Sequence, residues 1–196
     1  MKTLKQRMLT GIFAASLMGA STIAYAAPVD YVIDTKGMHA SINFKIQHLG
    51  YSWLRGDFER FSGDFSYDKE DISQSKIKVV IDTASVNSNH AERDKHLRSD
   101  DFLNVAKFKQ AQFVSTKVSG TDKAMTIEGN FTLNGVTKPL TIQAQKIGEG
   151  KDPWGGYRSG FSGTTEFKLA DYGISKNLGP ASTTVYLELE IEGIRK

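Results

Sequence analysis

The sequence predicts an all-β fold: about eight antiparallel strands closed into a barrel, with one short helical insertion near 89–105. Three observations carry this. Apolar and polar residues alternate with a period of two through most of the chain, the pattern of strands that bury one face. Asn134-Gly135 stands between two such runs, and both residue types tolerate the positive φ of a two-residue hairpin turn. Gly63, Gly129, Gly160 and Gly163 lie inside strand-like runs, where they weaken a flat strand but suit a sheet that curls on itself. Closure also removes exposed sheet edges.

Taken in order, 41–48 places Ile42, Phe44, Ile46 and His48 on one face and Asn43, Lys45 and Gln47 on the other. Around Phe58, Phe61 and Phe65 the parity slips by one residue, which predicts a bulge or a strand break near Arg60. Ile77, Val79 and Ile81 then alternate with Lys78, Val80 and Asp82. Met125, Ile127, Phe131 and Leu133 form the strand before the Asn-Gly turn, and Leu140, Ile142 and Ala144 form the return strand. Tyr157, Phe161 and Phe167 repeat the pattern in a glycine-rich segment. The last strand sets Val185, Leu187, Leu189 and Ile191 against Tyr186, Glu188, Glu190 and Glu192.

One segment departs from this pattern. Asn89-His90-Ala91-Glu92 has the spacing of a capping box, with Asn89 as the cap and Glu92 reaching back. A short charged helix through Arg93, Lys95 and Leu97 follows, and Ser99-Asp100-Asp101 starts a second turn carrying Phe102, Leu103 and Val105.

The N-terminus has the three-part grammar of a secretory signal peptide. Lys2, Lys5 and Arg7 form a basic head, an apolar stretch runs over 8–23, and Ala24-Tyr25-Ala26 supplies the small-x-small cleavage pattern. Residues 1–26 are therefore expected to be removed, leaving one barrel domain over 27–196, soluble and periplasmic, with no membrane span. The leader holds three of the 25 Lys and Arg and none of the 22 Asp and Glu, so the remaining chain carries 22 of each. No global basic field draws in nucleic acid. With no cysteine, disulfides, thiol catalysis and thiolate metal sites are excluded.

Few residues point to catalysis. His90 and His96 fall on roughly opposite faces of a helix, no HExxH or close His/carboxylate set is visible, and neither a metal nor a cofactor is expected. Gly160-Phe161-Ser162-Gly163 has the wrong spacing for a nucleophile elbow. Asp100-Asp101 reads as a helix start. His48, on the apolar face of its strand, reads either as a core histidine bonded to a carbonyl or as a polar contact at a cavity mouth. The remaining signal is apolar: Phe44, Ile46, Phe58, Phe65, Phe113, Phe131, Leu133, Phe161 and Phe167 share the inward set with Ile42 and Leu187. A barrel of about eight strands can either be filled by such side chains or hold one small ligand. Periodicity alone leaves both open.

Several stretches together resemble the YceI family of exported lipocalin-like proteins: FKIQHLGY at 44–51, RGDFERFSGDF at 55–65, IDTASVNSNHAERDKHLRSDDFL from 81 leading on to FVST at 113–116, and GNFTLNGVTKPL at 129–140. Asp171-Tyr172-Gly173-Ile174 fits as well. The resemblance implies a lipocalin-like eight-stranded barrel with a long apolar interior that binds polyisoprenoids or isoprenoid quinones. It also implies an apolar cavity lined by Phe44, Ile46, Phe58, Phe65, Phe131, Leu133, Phe161 and Phe167, with His48 as the polar contact. Two departures stand out: Phe108-Lys109 where many relatives have Tyr-Pro, and Leu169 where relatives often carry Arg. The expected function is transport, storage or stress sequestration of such a lipid rather than catalysis. The alternatives are a filled barrel whose 88–106 segment docks a protein partner, and a lipid-modifying enzyme using His48 and a nearby acid. Whether the chain forms a homodimer is left open.

Overall fold

The computed structural model describes residues 27–176 and 178–196, so the expected leader lies outside the described residues. Among the described residues are strands β1 (Val29–Ile33), β2 (Ser41–His48), β3 (Ser52–Phe58), β4 (Phe61–Tyr67), β5 (Lys76–Asp82), β6 (Val86–Asn87), β7 (Gln110–Thr121), β8 (Ala124–Leu133), β9 (Val136–Lys151), β10 (Tyr157–Lys168) and β11 (Thr184–Arg195), with one α-helix, α1 (Ala91–Leu97). β1 and β2 both pair with β11 and act as one long barrel strand, as do β3 with β4 and β5 with β6. The result is an eight-strand antiparallel barrel, closed where β1 meets β11. Closure leaves one stretch of edge, since β3 pairs with β6 only at Asp57 and Phe58.

The expected break near Arg60 is present, since β3 ends at Phe58 and β4 starts at Phe61. A one-turn helix at Thr83–Ser85 interrupts the adjacent β5 and β6. Buried Ser85 staples the two breaks together: its Oγ accepts from Arg60 N at 3.0 Å and its carbonyl from Glu59 N at 3.1 Å. Two neighbouring strands thus bend at one level, which curls the sheet toward closure. The Asn134-Gly135 turn joins Leu133 to Val136, with φ of 51° and 75°.

Two inward glycines shape the interior. Phe44 faces Gly56 across β2 and β3, and a Cβ on Gly56 would run into the Phe44 ring. Gly129 on β8 makes room for Phe113 in the same way. Each ring therefore packs against the backbone of the neighbouring strand.

The helix corrects one expectation. Asn89 sits in the left-handed region at φ 59° and donates its N–H to Asn87 Oδ1, so it cannot cap. His90 is the cap, its Nδ1 accepting from Arg93 N at 3.3 Å. Glu92 consequently stands one position too early to reach back. α1 is anchored by Asp94, which accepts from Ser88 N at 2.8 Å and Ser88 Oγ at 2.5 Å. Just beyond α1, Arg98 donates to the carbonyls of Ala84 and Val86. Among the described residues no helix is long and apolar enough to cross a membrane.

Candidate functional site

A cavity of about 580 Å³ opens at one end of the barrel. Its walls are inward residues of the strands: Phe44 and Ile46 of β2, Leu54 and Phe58 of β3, Phe131 and Leu133 of β8, Phe167 of β10, and Leu187 of β11. Leu97 of α1 with Phe102 and Leu103 border the mouth, as do Ile174, Leu178, Gly179 and Ser182. Such a volume lies within the usual ~300–1,000 Å³ of small-molecule sites. A second, smaller cavity of about 110 Å³ lies deeper, lined by Phe65, Phe113, Phe161 and neighbouring aliphatic residues. Ile81 borders both, so the two lie in line along the barrel.

The residues expected to line a cavity divide between these two spaces. Phe44, Ile46, Phe58, Phe131, Leu133 and Phe167 border the larger one, while Phe65 and Phe161 border the smaller. The filled-barrel alternative loses its premise, because the lumen holds open apolar space. His48 ends β2 at the mouth of the large cavity and is exposed, so it is a rim residue and not a buried core histidine. Leu169, one of the two departures noted in the sequence, borders the large cavity.

Polar groups sit at the rim. Gln47, His48, Arg93, His96 and Ser182 all border the mouth. Arg93 is held by Ser88, donating from Nε to Ser88 Oγ at 2.7 Å and from Nη2 to the Ser88 carbonyl at 2.5 Å. His96 Nε2 meets Asp101 Oδ2 at 2.8 Å, and Lys176 Nζ reaches the same oxygen at 2.6 Å. Lys176, then His96, holds the Asp101 carboxyl below the usual carboxylate range. Sequence reasoning passed over Arg93 and His96 as cavity neighbours, because only the docking of α1 across the barrel end brings them there. No Asp or Glu is among the described residues lining the large cavity, so His48 has no acid partner inside it.

Around the smaller cavity the aromatic residues pack on one another. Tyr31 stacks on Phe65 with centroids 4.9 Å apart, and Phe161 meets both Phe65 and Tyr67 edge-on. The Tyr67 hydroxyl donates to Asp122, and Lys146 lies over the Tyr67 ring while pairing with Glu149 at 2.9 Å. Burial, then the bond to Asp122, pushes the Tyr67 phenol well above its usual range.

On the outer wall the structure assembles a cluster that the sequence did not disclose. Asp34, His39 and Glu192 offer ligand atoms within 4.8 Å of one another, the His/carboxylate grouping that spacing alone had failed to suggest. The Arg158 guanidinium occupies this grouping: Nη1 lies 2.6 Å from Asp34 and 2.5 Å from Glu192, and Nε lies 2.8 Å from Asp152. Hydrogen bonding from Arg158, then from Gly37 N, lowers the Asp34 carboxyl to about 2. A cation is therefore already built into the cluster, which reads as a structural clamp on the 34–40 excursion.

Comparison with known proteins fits this architecture. A UPF0312 protein of Shewanella sp. (strain ANA-3) is 57% identical over 194 residues, covering 98% of this chain and 100% of the relative. A counterpart in Shewanella denitrificans is 58% identical over 185 residues, covering 93% of this chain and 97% of the relative. Among solved structures, a YCEI protein of Campylobacter jejuni superposes with a TM-score of 0.70 at 25% identity, covering 94% of this chain and 99% of that one. A polyisoprenoid binding domain from Saccharophagus degradans superposes with a TM-score of 0.63 at 18% identity, covering 86% and 99%, which speaks to the fold alone. Residues 31–193 match the YceI-like domain, and the chain belongs to the YceI family.

Proposed function

We propose that this protein binds an isoprenoid lipid, a polyprenyl chain or an isoprenoid quinone, with its tail in the large cavity and its polar end at the rim. The observation that carries the reading is the cavity itself: about 580 Å³, walled mainly by Phe, Leu and Ile. A branched hydrocarbon needs such a tube and nothing more specific. Each buried CH2-sized group contributes about 0.8 kcal/mol, so one five-carbon unit adds about 4 kcal/mol before ordering costs are subtracted. The Saccharophagus degradans neighbour, described as a polyisoprenoid binding domain, supports the same ligand class. The absence of a carboxylate among the described lining residues favours binding over the enzyme that would pair His48 with an acid. The N-terminal basic head, apolar stretch and small-x-small site favour an exported, periplasmic carrier or store built on 27–196.

Equilibrium titration with polyprenols of increasing length tests this reading. Affinity should rise with each added isoprene unit until the cavity is full, and then level off. Ile46→Trp, which places an indole in the cavity, should weaken binding at least tenfold at every length. Affinity independent of length, or unaffected by Ile46→Trp, would overturn the assignment.

A further inference from the structure

The β2 and β3 strands are joined by a tight turn, closed by Tyr51 N donating to the His48 carbonyl at 2.9 Å, with Leu49 at φ 53° and Gly50 at φ 82°. The β8 and β9 strands are joined through nearly the same backbone, with Asn134 at φ 51° and Gly135 at φ 75°. Asn suits a left-handed position; a branched apolar side chain is disfavoured there. Leu49 gains no burial in return, since it is 54% exposed. Beside it Tyr51 is 88% exposed, and Trp53, two residues along β3, is 46% exposed. A strained, solvent-facing leucine flanked by exposed aromatics is an outlier that folding does not require, and such outliers point to function.

Its position supplies the rest. Leu49 also borders the large cavity, so the exposed tip is continuous with the mouth through which any cargo passes. We propose that the 49–51 hairpin tip inserts into the surface of a lipid bilayer, so that the isoprenoid moves between membrane and barrel without crossing water; this rests on the binding reading above. A free tail leaving through water would be slowed roughly a thousandfold for each five-carbon unit exposed. Direct contact removes that barrier. Tyr and Trp favour the membrane–water boundary, where an apolar ring and a polar tip are both satisfied. The segments bordering the mouth, 47–52, 91–103, 169–176 and 178–183, carry Arg93, Lys95, Arg98 and Lys176 against Glu92, Asp94, Asp100, Asp101 and Asp171. This near balance matches a zwitterionic surface, and docking depends on the apolar tip rather than on anionic lipid.

The test loads the full-length processed protein with a fluorescently labelled polyprenol and follows its transfer to phosphatidylcholine vesicles. The transfer rate should rise in proportion to vesicle concentration, as collision requires, and stay unchanged when anionic lipid is added. Tyr51→Ser, which lies outside the cavity lining, should slow transfer at least fivefold, and Leu49→Asn combined with Tyr51→Ser should slow it further. A rate independent of vesicle concentration would overturn the proposal, since the lipid would then be travelling through water. Unchanged transfer in Tyr51→Ser, accompanied by loss of a dimer in sedimentation, would overturn it in favour of a tip that binds a second copy. Wild-type protein that takes up no polyprenol would overturn both the proposal and the binding reading; loading followed by concentration-independent transfer would overturn the proposal alone.

Discussion

The two ends of the barrel use the same strands and the same inward alternation, yet one leaves about 110 Å³ of free space and the other about 580 Å³. At the more tightly packed end, Tyr31, Phe65, Tyr67 and Phe161 meet ring on ring, beside the Tyr67, Asp122, Lys146 and Glu149 network. At the open end, Phe44 lies back against Gly56, and the segments bordering the mouth line its rim without filling the lumen. The difference teaches that an apolar inward face does not specify a filled core. Rings meet at both ends, Phe131 with Phe167 and Tyr172 at one and Phe65 with Tyr31 and Phe161 at the other. Phe65 lies against Gly193 as Phe44 lies against Gly56; what differs is the space left between the side chains, about 580 Å³ against about 110 Å³. On the binding reading proposed above, one end supplies stability and the other supplies space.

The largest expected effect falls on the more tightly packed end. Phe65→Ala removes a 5% exposed ring stacked on Tyr31 and should cost about 3–5 kcal/mol in urea denaturation. Phe58→Ala, on the half-buried wall beside existing space, should cost about 1–2 kcal/mol. Equal losses would erase the contrast between the ends. Next comes the outer clamp: Arg158→Ala strands the buried Asp34 carboxylate and should cost about 3 kcal/mol by the same measurement.

The pH dependence of that clamp follows from Asp34. Its carboxyl is lowered in the folded chain to about 2 from a usual 3.8, so its contribution is fully present above about pH 4. It fades as pH falls toward 2, by on the order of 2 kcal/mol. Thermal melts between pH 5 and pH 2 should show a drop that is smaller in Arg158→Ala, and an identical drop would remove Asp34 from the account. The smallest effect belongs to the mouth. Leu49→Asn relieves a left-handed leucine and should raise stability by about 0.5–1 kcal/mol, detectable as a small rise in Tm.

The barrel was legible because strand alternation is local information: 41–48, 124–133 and 184–195 each declare their buried face within a few residues. The break at Arg60 was legible for the same reason, as a slip in parity. The six residues around the large cavity were legible as inward-facing, but the division of the lumen was not, since Phe65 and Phe161 differ from Phe58 and Phe167 only in which partners they meet. Asn89 misled because the capping pattern cannot register that Asn87 claims its N–H and turns it left-handed, which moves the cap to His90. The clamp was invisible because Asp34 and Arg158 are 124 residues apart and meet only when the barrel closes. Arg93 reads from sequence only as part of a short charged helix and His96 only as a poor metal-ligand candidate; both border the cavity because Asp94 and Arg98 anchor the α1 region at the mouth.

Native mass spectrometry of the protein isolated from its own cells tests the central claim most directly, with any released lipid extracted and identified. The account predicts one isoprenoid per chain in the wild type and a bare mass for Ile46→Trp. A bare wild-type mass, unchanged after incubation with polyprenols and isoprenoid quinones, would contradict it.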